Sequence, residues 1–117
     1  MNNQIFKIKR NDTLPPLQIS IGTKGNLDQK IGFSLIDVSS ITFSMIDDCS
    51  NLKVYAQTAD TVCASGGTIQ YNWQNGDTDT EGMYQGEFEI TYTSGKKLSI
   101  PTQGGIKIEI IKDINSF

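Results

Sequence analysis

From Tyr84 onward the side chains sort by parity. Tyr84, Gly86, Phe88, Ile90 and Tyr92 fall on one face, and Gln85, Glu87, Glu89, Thr91 and Thr93 fall on the other. A period of two with so clean a split predicts a strand with one face on a core and one in water. A polar turn, Gln74 to Gly82, precedes it, and before the turn Ile69, Tyr71 and Trp73 share a second apolar face. The two runs and their turn predict a central hairpin or corner of an all-β domain.

The remaining chain repeats the pattern in shorter pieces. Phe6 and Ile8 oppose Lys7 and Lys9, which predicts an N-terminal edge strand or arm within residues 1–10, its lysines discouraging stray pairing. Pro15-Pro16 holds the chain extended into a second strand with Leu17, Ile19 and Ile21 inward. After a polar loop, Ile31, Phe33 and Leu35 share a parity, and Asp37 to Ser40 reads as a turn. Ile41, Phe43 and Met45 begin the next strand, which Asp47-Asp48 closes. Leu52 to Gln57 reads as a strand around Val54 and Ala56, or around Tyr55 in another register, and Thr61 to Ala64 is too short to assign. Ser94-Gly95 predicts a tight hairpin returning through Leu98 and Ile100, and Ile106, Ile108 and Ile110 form the last inward set. No window shows a helical period. Seven to nine short strands predict a β-sandwich, since a lone sheet would leave an apolar face wet.

At 117 residues the chain is expected to form one domain, residues 1–117. A net charge of −3, with lysines scattered, argues against nucleic acid as the main partner. No apolar stretch reaches membrane-spanning length, and MNNQIFKIKR lacks the apolar run of a signal peptide. Synthesis in a cytoplasm, with no membrane partner, is the expectation. Cys49 and Cys63 are read as reduced thiols in preference to a staple.

The chain contains no histidine, which removes the usual general base and the commonest zinc ligand. Asp77-Thr78-Asp79-Thr80-Glu81-Gly82 mimics the start of a calcium loop, but its twelfth position is Phe88 instead of a glutamate. Asp77 and Asp79 are therefore read as caps for backbone N–H groups in a turn. Glu87 and Glu89 occupy an outward strand parity, so a two-carboxylate hydrolase is disfavoured. The expectation is a non-enzyme without cofactor or metal. Tyr71, Trp73, Tyr84, Phe88 and Tyr92 offer the aromatic content of a sugar platform, but their parity points to a core.

Asp79, Gly82 and Tyr84 are spaced as in the immunoglobulin-type corner, in which a tyrosine hydroxyl bonds back to upstream backbone. Gly86 stands where that fold carries its second cysteine, so the inter-sheet disulfide is missing. Tyr71-Asn72-Trp73, then Gly76-Asp77-Thr78-Asp79-Thr80, Gly82, Tyr84 and Phe88, resembles the N-terminal domain of the baseplate upper protein of tailed bacteriophages. Asn11-Asp12-Thr13 with Pro15-Pro16-Leu17, and Ile41-Thr42-Phe43-Ser44-Met45, extend the resemblance to most of the chain.

The resemblance implies an immunoglobulin-like virion module, made in the host cytoplasm, that contacts other virion proteins in many copies at the baseplate or tail. No helical linker or carrier domain follows the sandwich before Phe117, so decoration of a capsid or neck is the nearest alternative. A carbohydrate-binding or adhesion module is the alternative of another class. Trp73, Asp79, Gly82, Tyr84 and Phe88 are the expected core and corner. Ile5, Phe6 and Ile8 at the N-terminus, with Ile111, Ile114 and Phe117 at the C-terminus, are the expected assembly contacts.

Overall fold

The computed structural model describes residues 5–20, 37–63, 67–101 and 104–114, the side chain of Cys63 excepted. These residues form an immunoglobulin-like β-sandwich of nine strands: β1 (Phe6–Lys9), β2 (Leu17–Ser20), β3 (Val38–Asp47), β4 (Leu52–Thr58), β5 (Asp60–Cys63), β6 (Thr68–Tyr71), β7 (Gly82–Tyr92), β8 (Lys97–Ile100) and β9 (Ile106–Ile111). The larger sheet runs β1-β9-β7-β3-β4 with β8 also on β7, and the smaller runs β2-β6-β5.

The predicted alternation from Tyr84 to Tyr92 makes β7 the axis of the larger sheet. One edge carries β3 along its length, from Asp47 opposite Tyr84 to Val38 opposite Tyr92. The other edge is shared end to end. β9 covers Gly82 to Gly86, and β8 covers Phe88 to Thr91. Outside β9, β1 adds a parallel edge strand, Phe6 opposite Ile108 and Lys9 opposite Ile111.

The inward parities of the two sheets meet in one core. Phe43, Met45, Ile69, Tyr71, Phe88, Ile90 and Ile108 are fully buried within it. Phe43 sits among the aromatic rings, stacked on Tyr71 with centroids 4.6 Å apart, tilted against Phe88 at 5.0 Å and edge-on to Trp73 at 5.8 Å. Such pairs add about 0.5–1.5 kcal/mol each beyond the area they bury.

Several strand assignments made from sequence change. Val38 to Ser40 is the start of β3 and not a turn: Val38 pairs with Tyr92 and Ser40 with Thr91 around an irregularity at Ser39. The ladder supplies the order there, and exposed serines leave no hydropathic trace. Ala56, expected inward beside Val54, is exposed at a φ of 49°. Its N–H donates to Ser44 Oγ at 2.8 Å, inside a bulge that shifts the register between β3 and β4. Tyr55 is exposed as well, so of the two registers only the inward Val54 holds, because the bulge breaks parity after it. Asp60 to Cys63, too short to assign, forms β5 by pairing with β6. Ile21 and the expected strand around Ile31, Phe33 and Leu35 lie outside the described residues.

Candidate functional site

The corner between Trp73 and Tyr84 is held by side chains that the turn sequence places close to the backbone. Thr78 is buried, its Oγ1 donating to the Asp12 carbonyl at 2.8 Å, while Asn11 N donates to the Thr78 carbonyl at 2.9 Å. These bonds rivet the corner to the turn after β1. Asp77 Oδ2 accepts from Tyr71 Oη at 2.5 Å and from Gln74 N at 2.8 Å. Asp77 therefore caps backbone, as its turn position predicts. Asp79 instead pairs with Lys53 of β4 and accepts from Thr80 Oγ1 at 2.9 Å. The Lys53 ammonium, aided by Thr80, holds the Asp79 carboxyl below the usual range.

Tyr84 closes the corner. Its Oη donates to the Thr80 carbonyl at 2.7 Å, and its ring lies beside Gly82, whose φ of 146° favours glycine. This is the tyrosine corner of immunoglobulin-like sandwiches. Tyr84→Phe is expected to lower the unfolding free energy by about 0.5–1.5 kcal/mol, the usual range for one such bond, with the strand order intact. Urea denaturation of the two proteins measures it.

Burial raises the pKa of both corner tyrosines above 10.0, and for Tyr71 the adjacent Asp77 carboxylate adds to the rise. The folded state thus holds the phenolic protons more tightly than the unfolded chain. That contribution is complete below the unfolded pKa of about 10 and is lost as pH rises past it. Melting temperatures followed upward through that pH are expected to fall, and Tyr71→Phe to flatten the decline.

The residues expected from sequence separate into two groups. Trp73, Tyr84 and Phe88 are buried, and Asp79 and Gly82 line the corner around them. The Trp73 indole packs on Phe6, Phe43 and Tyr71, and its Nε1 finds no partner among the described residues. The expected assembly contacts are less uniform. Of the expected edge strand or arm, Phe6–Lys9 is the edge strand: Ile8 is in the core and Phe6 is partly buried against it through Trp73, so these two side chains face this chain's own core. Ile111 is half-buried in β9, Ile5 and Ile114 are exposed, and Phe117 lies outside the described residues.

Sequence reasoning missed the Lys53–Asp79 pair and the Tyr71–Asp77 bond. The first joins residues 26 positions apart, a link no local pattern carries. The second had a signal, an aspartate six residues after an inward tyrosine, but only the folded turn brings them together. Cys49 is an exposed free thiol in the β3–β4 turn, where Asp47 Oδ1 accepts from Cys49 N at 2.8 Å and Asn51 N at 2.9 Å. Among the described residues, no three histidine, cysteine, aspartate or glutamate side chains gather to hold a metal ion.

No family model matches the chain, and no curated protein does either. A solved structure with a similar fold is the crystal structure of CopC from Methylosinus trichosporium OB3b, at a TM-score of 0.56 and 11% sequence identity. The alignment covers 97% of this chain and 89% of that one, so the likeness spans the whole sandwich. At this identity it shows a shared β-sandwich fold and leaves function to be argued from the site.

Proposed function

We propose that the protein is a structural component of a tailed-bacteriophage particle, an immunoglobulin-like module that acts by protein–protein contacts in many copies, at the baseplate or tail, without catalysis. One observation carries the reading. Residues on which the phage resemblance rests gather at one corner: Tyr71 bonds Asp77 and packs on Trp73, Phe43 joins Phe88 to Tyr71, and Tyr84 beside Gly82 bonds the Thr80 carbonyl next to Asp79. The motif therefore works as a unit of architecture, as a resemblance to a structural domain requires. Ile5 and Ile114 supply exposed apolar groups for contacts with other virion proteins.

The test is composition of the particle. Virions purified from a lysate of the encoding phage are expected to contain the chain in multiple copies, cross-linked to baseplate or tail proteins. Cross-links to capsid or neck proteins alone would move it to a decoration role. Absence from purified particles, with the protein abundant in the lysate, would sink the reading.

A further inference from the structure

The face of the larger sheet turned away from the core carries a depression of about 140 Å³ lined by Ser44, Ile46, Gln85 and Glu87, with Gly86, Gly104 and Gly105. Its four side chains come from facing positions, Ser44 opposite Glu87 and Ile46 opposite Gln85. The glycines shape it. A Cβ on Gly105 would fall 2.9 Å from Gln85 Cβ and 3.0 Å from its Oε1, so the Gln85 side chain lies directly against bare backbone. Gly104 has a φ of 69°, a turn that favours glycine and carries no side chain over the depression.

The chemistry of the lining is specific. Ser44 Oγ already accepts from Ala56 N, and its hydroxyl hydrogen has no acceptor among the described residues. Glu87 is an acceptor only, and the Gln85 carboxamide both donates and accepts. Ile46 supplies an apolar surface between these polar groups. Leu52 pairs with Ile46 from β4, and Tyr55, 69% exposed, lies in the bulge across from Ser44. Among the described residues no lysine or arginine lines the depression, so a phosphate or acidic sugar finds no counter-charge in the lining itself, Lys107 standing one strand away opposite Gln85. Adjacent hydroxyls that both donate and accept, next to an apolar ring face, are what this set complements. The volume is well below the roughly 300–1,000 Å³ of pockets for drug-sized ligands, which limits the occupant to one ring.

We propose that this depression is a binding subsite for a single neutral pyranose residue of a glycan. Glu87 and Ser44 take neighbouring hydroxyls, Gln85 takes a third polar group, and one face of the ring rests on Ile46. The subsite does not rest on the virion reading, because it is built from residues of this one chain.

The test titrates the isotope-labelled full chain with methyl glycosides of glucose, galactose, mannose and N-acetylglucosamine, following amide resonances. At least one glycoside is expected to saturate at millimolar concentration, near −4 kcal/mol of binding free energy. The shifts should centre on Ser44, Ile46, Gln85 to Glu87 and Gly104-Gly105. Glu87→Ala and Gln85→Ala change exposed positions, so both are expected to keep the parental melting temperature while Glu87→Ala weakens binding about tenfold or more. Failure of all four glycosides to saturate, shifts centred elsewhere, or unchanged binding by a folded Glu87→Ala protein would overturn the proposal.

Discussion

Phe43→Ala is expected to lower the unfolding free energy by about 3–5 kcal/mol, the usual loss for a large buried aromatic. A domain has only about 5–15 kcal/mol in total, so the variant should sit near the edge of folding. The size follows from position. Phe43 is fully buried on β3 and touches Phe88 in its own sheet, Tyr71 in the facing sheet and Trp73 just beyond it. Truncation therefore opens the joint between sheets, where neighbours on both sides are held by their own ladders and cannot collapse inward. Trp73 is the single tryptophan and lies against Phe43, so its fluorescence during urea unfolding reports the loss directly. A midpoint equal to that of the parent would contradict the central place given to this ring.

The second large effect comes from adding one methyl group. Gly86→Ala places a Cβ 2.7 Å and 2.8 Å from two carbons of the Phe43 ring and 2.9 Å from Ile108 Cδ1. Neither neighbour is the loose end of a flexible exposed chain, since both are fully buried. Overpacking of this kind costs about 1–3 kcal/mol, read from the same denaturation curves. The two substitutions should also couple. With Phe43 already reduced to alanine, the methyl at position 86 enters vacated space, so the double variant is expected to be more stable than the sum of the single losses implies. Strict additivity would show that Gly86 is not there to admit the ring.

Gly86 also marks the limit of what the chain reveals before folding. Its parity on β7 is plain from the alternation, and so is the absence of the immunoglobulin cysteine at that place. What the sequence does not show is the reason, because the object that excludes a side chain is a ring 43 positions earlier. The inward sets Ile41–Phe43–Met45, Ile69–Tyr71–Trp73, Tyr84–Phe88–Ile90 and Ile108–Ile110 were legible, since period-two burial is a local property. Ala56 and Tyr55 were not, because a bulge resets parity without changing hydropathy. Ser39-Ser40 and Asp60 to Cys63 were not either, since their order comes from hydrogen bonding to partners elsewhere in the chain.

The same division applies to the corner. Tyr84 and its glycine could be read from spacing, because the bond runs back only four residues. Lys53 could not be assigned to Asp79, and Thr78 gave no hint that it would be buried against Asp12. The depression around Gln85 was equally silent, since it depends on Gly104-Gly105 crossing beside β7. Side chains outward on a strand look alike in sequence whether they meet water or a ligand.

The parallel pairing of β1 with β9 bears on mechanical load. Because the two strands point the same way, tension applied before Phe6 and after Ile111 draws them past each other along their length. The bonds from Phe6–Ile108 to Lys9–Ile111 are then loaded together in shear, where an antiparallel pair gripped at one end would peel open bond by bond. Resistance to such a pull is set by the rate of rupture and not by equilibrium stability, so a short edge strand can act as a clasp for the whole sandwich.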